Sequence, residues 1–311
     1  MLLVTFHGGK PEKNPHKNNV QAYDKDGSKL SPSVLDNPEG ITLDELRAIY
    51  LVKNLLYVVN ANKGVNSVLC YSGSGVKYKF AGKLISHAES PAILHPFDVI
   101  FDGMGYAYVS CQDTNVVTRL KVAANGKSAV PAAVAPALPG DGKFLPGTFV
   151  ASSRSLVPPT TEVAQPQGLA YSDPVGDKKH SVRGIEWSGG ALYVADQPSH
   201  RVKVYGKKGE FLGQSNEVES PVHLVAWKDT LFVSGGDQIV SAKLSKKPGN
   251  FELTPVKGLK VKNSSGMAFT PKGKLYVASR TENCIYKFGP NFKPMKFACE
   301  LPDNPEFLLH V

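Results

Sequence analysis

Six residues at matching points of a repeating pattern could do chemistry together: Glu39, Asp98, Arg183, His223, Ser265 and Glu306. Two of the carboxylates share an "NPE" context, at 37–39 and 304–306, and the third follows "PF" at 96–97. Three carboxylates and an imidazole are the donor types that a divalent cation requires, and also those of a general acid–base pair. Oxygen donors of this kind make Ca²⁺ the first expected cation, held by Glu39, Asp98 and Glu306. His223 would then transfer a proton or complete the metal shell, with Arg183 as a second catalytic candidate. A structural reading stands beside each of these. Asp98, and Asp196 in "LYVAD", could cap turns or accept backbone N–H bonds; His223 could be a satisfied buried imidazole, and Glu39 and Glu306 a solvated rim.

Residues so far apart meet only if the fold repeats around one point, and the sequence repeats. "GALYVADQPSHRVKVYGKKGEFLG", 190–213, reads as an apolar strand, a polar turn, an alternating strand, a Lys-Lys-Gly turn and a third strand. Its core returns as "LYVVNANKGVNSVLCY" (56–71), "AYVSCQDTNVVTRLKV" (107–122), "LFVSGGDQIVSAKLS" (231–245) and "LYVASRTENCIYKFGP" (275–290). Each copy joins a continuous apolar run, the pattern of a strand covered on both faces, to an alternating strand. A second piece precedes them: "PEGI" at 38, "PFDVIFDGMG" at 96, "VRGIEWSGG" at 182, "PVHLVAWKD" at 221 and "SSGMAFTPKG" at 264. The unit is therefore four antiparallel strands, which cannot bury both faces alone.

The two ends share a sixth copy. "NPEFLLHV", 304–311, has the first-strand pattern, while "MLLVTFHGG" and "NNVQAYDKDGSKL" open the chain with second- and third-strand patterns. Joined, they close a ring without free sheet edges. The prediction is an all-β, single-domain, six-bladed β-propeller over residues 1–311. First strands line its central channel, and the loops that lead into them converge on one mouth. His7, Asn60, Cys111, Gln112, Ser234 and Arg280 follow the second strands and would rim it.

Three stretches depart from the repeat. "LDELRAIYLVKN", 43–54, is expected to lengthen the first connection of the blade that begins at Gly40, with room for one helical turn. Residues 123–167, rich in Ala and Pro, read as an extended surface loop inserted between blades. Both 166–171 and 182–188 have an inner-strand pattern, and the sequence does not choose between them.

"HPFDVIFDGMGYAYVSCQDTNVVTRLKVAANG" and "VRGIEWSGGALYVADQPSHRVKVYGKKGEFLG" resemble NHL repeats, with a Pro-x-Gly opening, an apolar strand, a Gly turn, "LYVAD" and a strand closing at Gly. The resemblance implies the propellers of the NHL-like and gluconolactonase-like superfamily, among them lactonases, lyases, strictosidine-synthase relatives and pure binding platforms. Gluconolactonase-like enzymes hold their metal with a channel Glu in an "EG" opening, which Glu39-Gly40 resembles; their Asn and Asp ligands have no positional match here. The peptide-amidating lyase uses channel His in Pro-His contexts, which only His223 in "PVH" resembles.

Two functions follow. One is a small-molecule enzyme or binder at the channel mouth, a metal-assisted hydrolase, lactonase or lyase. The other is a non-catalytic platform for a protein, peptide or polyanion. The net charge of +9 suits a polyanion, yet only six of the 36 basic residues are Arg, and pairs such as Lys207-Lys208 and Lys246-Lys247 suit solvated turns. No GxSxG elbow, phosphate loop or HExxH is present, and "SGSG" (72–75) and "SGG" (234–236) read as turns. The four cysteines lack metal-ligand spacing. Cys284 and Cys299 flank a turn almost symmetrically, so they either bridge a hairpin in an oxidising compartment or, like Cys70 and Cys111, serve as small buried hydrophobes. No run approaches the roughly 18 apolar residues of a membrane span, and the opening residues do not form a signal peptide. The expectation is a monomeric cytoplasmic protein without a membrane partner, with a secreted mature form as the alternative.

Overall fold

Strands that are apolar on both faces need cover on both sides, and the chain provides it by ranging its sheets around one axis. In the computed structural model, six antiparallel sheets each contribute their first strand to a central channel. Residues 1–8, 18–36, 39–62, 64–132, 181–207, 209–289 and 292–311 are described, with the backbone of 148–151. From the axis outward, blade 2 is Leu46–Val52, Leu55–Asn60, Ser67–Ser74 and Lys77–Ser86. Blade 3 is Pro96–Phe101, Tyr106–Cys111, Val116–Val122 and Ala129–Pro131. Blade 4 is Val182–Ser188, Ala191–Asp196, Arg201–Tyr205 and Phe211–Gln214. Blade 5 is Pro221–Trp227, Thr230–Gly235, Gln238–Lys243 and Thr254–Lys260. Blade 6 is Ser264–Phe269, Leu275–Ser279, Cys284–Phe288 and Pro294–Ala298.

Blade 1 is made from both ends of the chain. Its inner strand is Pro305–His310, followed by Leu2–Phe6, Gln21–Tyr23 and Lys29–Ser31. Leu2 pairs with His310, Leu3 with Leu309 and Val4 with Leu308, and the Met1 amino group donates to Val311 O at 2.9 Å. The predicted ring closure is thus realised.

Two expectations about irregular segments change. Residues 43–54 hold no helical turn: Leu46–Val52 is itself the inner strand of blade 2, with Leu46 to Ile49 buried. The apolar run, not "PEGI", carries the strand, because only it can face both neighbouring blades. Of 123–167, Ala129–Pro131 is the outer strand of blade 3 and Thr148–Ala151 pairs with the same third strand, while 133–147 and 152–167 lie outside the described residues. Val182–Ser188 is the inner strand of blade 4; the competing 166–171 also lies outside them.

The third residue of each inner strand shows how the ring is packed. Around the axis these residues are Phe307, Ala48, Asp98, Gly184, His223 and Gly266, alternately large and small. A Cβ on Gly184 would stand 2.7 Å from Val222 O, and one on Gly266 2.5 Å from Glu306 O, so neighbouring inner strands touch there through bare backbone. Each large residue reaches across the small one next to it. In all three of these blades a second-strand hydroxyl accepts the N–H of the large residue: Thr5 from Phe307, Ser110 from Asp98 and Ser234 from His223. Thr5 and Ser234 also donate to the next blade, at Arg47 O and Ser265 O, each at 2.7 Å.

Away from the axis, Asp196 of "LYVAD" pairs with Lys203 at 2.6 Å in a nearly closed site and accepts from Ser199 Oγ. It is the structural anion of blade 4. Cys284 and Cys299 form the disulfide that the hairpin reading allowed, beside the Ile285–Ala298 pair of blade 6, while Cys70 and Cys111 are free and buried. The bridge spans a sequence separation of 15 residues, a loop whose closure is worth about 3 kcal/mol in the chain-entropy account. The double variant Cys284→Ser/Cys299→Ser is expected to lose about that much in urea unfolding. Reductant should shift the parent protein by a similar amount and leave the variant unmoved.

Candidate functional site

The second residue of each inner strand stands at the channel mouth: Glu306, Arg47, Phe97, Arg183, Val222 and Ser265 in ring order. Glu39 is not among them. It is exposed in the turn before the inner strand of blade 2, and Arg47 holds the position expected for it. The mouth therefore carries one guanidinium, Arg47, where the carboxylate of Glu39 was expected, while Arg183 and Glu306 stand where the sequence put them.

Arg47 Nη1 and Arg280 Nη2 both lie 2.9 Å from Glu306 Oε1, with the Arg47 and Glu306 side chains only 5% and 1% exposed. Glu306 Oε2, Arg47 Nε and Arg280 Nε are buried without hydrogen-bond partners among the described residues. Burial pushes the Glu306 carboxyl upward, but Arg47 and Arg280 outweigh it, so the net shift is downward and the group stays ionised. Arg183 Nε donates to Gln197 Oε1 at 2.9 Å, Gln197 Nε2 donates to Ser220 Oγ at 2.8 Å, and the guanidinium lies over the Phe97 ring. Burial, then the like charges of Arg47 and Arg280, push Arg183 down to about 9, so it is still charged at neutral pH.

His7 and Arg280 reach this cluster from the ends of second strands, where the repeat places them. His7 Nε2 lies 3.4 Å from Arg47 Nη2 and can only accept from it, which puts the ring proton on Nδ1. Burial and the Arg47 charge lower its pKa, so the ring is neutral at pH 7. Farther out, His95 lies between Asp113 at 3.1 Å and Glu45 at 3.6 Å.

Below the mouth an aromatic bar crosses the channel: Phe307 meets Phe97 and His223 edge-on, with centroids 5.2 and 5.0 Å apart. Asp98 and His223 belong to this layer, and neighbouring backbone engages both. Asp98 accepts from Val99 N–H at 2.8 Å and from Ile185 N–H at 2.9 Å, past Gly184. His223 Nδ1 accepts from Met267 N–H at 3.2 Å, past Gly266. Burial pushes His223 down to about 4, so it is neutral. Beyond the bar lies a cavity of about 250 Å³ that Asp98, Tyr50, Glu186, His223 and Trp227 help to line. Burial raises Asp98 to about 7 despite its two N–H bonds. Burial and then the Asp98 charge raise Glu186 to about 8, against one N–H from Ala226.

The donors do not fit the expected Ca²⁺, which takes six to eight oxygens. Glu306 is engaged by two guanidiniums, Asp98 by two backbone N–H groups, and Glu39 stands apart. Among the described residues no three His, Cys, Asp or Glu side chains are arranged to hold a metal. Of the other rim candidates, Asn60 pins the loop before its blade by bonding Asp44 N–H and Thr42 O. Ser234 is the hydroxyl latch described above. Cys111 is buried, and burial pushes its thiol up to about 12. Gln112 is buried next to Asp113, its Nε2 without a partner among the described residues. Arg47, Gln197 and Glu186 were not anticipated. Arg47 was findable: in the other complete blades the mouth residue lies ten or eleven positions before the second-strand aromatic, and the same count from Tyr57 gives Arg47.

No protein-family model matches the chain, and no curated protein resembles it in sequence. Solved structures do match. A protein from Lactobacillus plantarum aligns with a TM-score of 0.59 at 15% identity, covering 95% of this chain and 80% of its own. A candidate 6-phosphogluconolactonase from Bacteroides uniformis aligns at 0.56 and 11% identity, with the same coverage of 95% and 80%. A chain of the nidogen–laminin complex aligns at 0.59 and 11% identity, covering 99% of this chain and 97% of its own. Likeness at such identity concerns the backbone alone. In fold, this chain is a six-bladed β-propeller.

Proposed function

We propose that the chain binds and acts on a small anionic molecule, a carboxylate or phosphate, at the mouth of its central channel. The observation that carries this reading is the convergence of Arg47, Arg183 and Arg280 around one buried carboxylate, Glu306. Three guanidiniums against one carboxylate repel each other in a partly desolvated place, and a second anion relieves that repulsion. The planar guanidinium fork also matches a carboxylate or phosphate in two bonds. The reaction class we assign is hydrolysis, lactone opening or lyase cleavage beside the anionic group. The arginines would neutralise charge developing on oxygen, and His7, neutral at pH 7, would take up a proton at Nε2 once Arg47 turns from it to the bound anion. The candidate lactonase of the same fold acts, by its description, on a phosphorylated compound of this class. No helix of the described residues is long and apolar enough to cross a membrane, which agrees with a ligand taken from water.

The test is thermal unfolding with inorganic phosphate, citrate, glucose, CaCl₂ or chelator. Phosphate and citrate are expected to raise the transition with the logarithm of their concentration, by about 2.7 kcal/mol at a hundredfold excess over Kd. Glucose, Ca²⁺ and chelator should leave it in place. Arg183→Met is expected to weaken phosphate at least about tenfold. A parent protein indifferent to both anions, or one stabilised by Ca²⁺ alone, overturns the anion reading.

A further inference from the structure

The cavity beyond the aromatic bar shares no residue with the arginine cluster, and its chemistry is opposite in sign. We infer that it is a binding site for a small organic ammonium carrying an acceptor oxygen, held between Asp98, Glu186 and His223. About 250 Å³ is enough for a ligand of several heavy atoms. Its wall presents two carboxyl groups, and no cationic side chain counts among the influences on either. Two acids this close, with no cation of the chain between them, hold on to their protons near neutral pH, and a positive guest is what would let them ionise.

His223 makes a second, independent statement. Its side chain is more than nine-tenths buried, and Nδ1 is taken by Met267 N–H, so the proton sits on Nε2. Nε2 has no protein partner among the described residues, and the ring lines the cavity. A donor that opens onto the cavity is satisfied there by water or by an oxygen of the guest. It calls for an acceptor oxygen on whatever enters.

The remaining wall is aromatic and aliphatic, including Tyr50, Trp227, Phe269 and Phe307. Such walls suit the alkyl groups of an organic ammonium and attract its charge through ring faces within about 6 Å. The chain already shows the affinity at this end of the channel, where the Lys228 ammonium lies 4.4 Å over the Trp227 ring. A bare metal ion is disfavoured, since two carboxyls with several N–H bonds among them leave too few oxygens for a coordination shell. Tyr50, Glu186 and Trp227 are partly exposed, which leaves the cavity a way in.

Calorimetric titration with choline tests the inference, with its uncharged isostere 3,3-dimethylbutan-1-ol and with tetramethylammonium, which lacks the hydroxyl. Choline is expected to bind one to one. The uncharged isostere should bind at least about tenfold more weakly, and tetramethylammonium more weakly than choline by a smaller factor. Glu186→Gln, nearly isosteric, should weaken choline at least about tenfold and leave the phosphate response of the mouth intact. Val225→Phe, which fills the cavity without touching a carboxyl, provides a second variant should Glu186→Gln not fold. No choline binding by the parent protein at tens of millimolar, equal binding of the neutral isostere, or choline binding retained by a folded variant would each overturn the inference.

Discussion

Deleting residues 304–311 is expected to abolish the cooperative unfolding transition, leaving a chain that binds hydrophobic dye at 25 °C. The deleted strand does three things at once. It supplies the inner partner of Leu2–Phe6 and so closes the ring. It places Phe307 in the main core beside Phe97 and Ala48. It also carries Glu306, without which Arg47 and Arg280 face each other unpaired. Loss of the strand would leave the inner edge of Leu2–Phe6 unpaired in the middle of the protein. Because Met1 and Val311 bond to each other in both directions, a permuted chain that joins the present ends and opens at the Trp227–Thr230 turn should fold like the parent. The comparison separates the need for closure from the need for those residues. A truncated protein that melts cooperatively at the parental temperature would defeat the closure argument.

What the sequence makes legible is what repeats. The "LYV" strands recur because each second strand is covered on both faces, and that periodicity alone yields six blades and the shared sixth one. Arg280 and His7 follow from the same register. Glu39 misleads because "NPEG" copies the motif around Glu306 while the actual strand, eight residues further on, has neither Pro nor Gly at its opening. Motif and register disagree there, and burial follows register. Asp98 and His223 have the residue types of catalysis, yet their backbone bonds depend on Gly184 and Gly266 in the next blade, a relation across some 86 and 43 residues that no local pattern displays. The alternation of large and small third residues becomes visible only once the ring order is known. Glu186 reads as the polar member of an alternating strand, and nothing beside it in the sequence announces the carboxyl of Asp98 on the neighbouring blade.

Glu306→Gln should be the most damaging single substitution at the mouth, at about 3–5 kcal/mol near pH 7, since it removes the partner of a buried pair and leaves the cations in place. The double variant Arg47→Met/Glu306→Gln should recover part of that loss, because the charge left behind goes too. The pH dependence gives the sign. The folded pKa of Glu306 lies below its unfolded value of about 4.3, so the folded state releases this proton more readily. Its contribution is full above the unfolded value and fades as pH falls through the folded one. The stability curves of the parent and of Glu306→Gln should therefore lie apart at pH 6–7 and converge in acid. Glu186 works in the opposite sense. Its folded pKa, about 8, lies above the unfolded value, so its contribution is present in acid and is lost as pH rises through about 8. Glu186→Gln should therefore flatten the alkaline limb and leave the acid limb to Glu306. Urea unfolding from pH 3 to 9 measures both. If the Glu306→Gln curve runs parallel to the parent throughout, the carboxyl is not held ionised by its arginines, and the electrostatic account of the mouth fails with it.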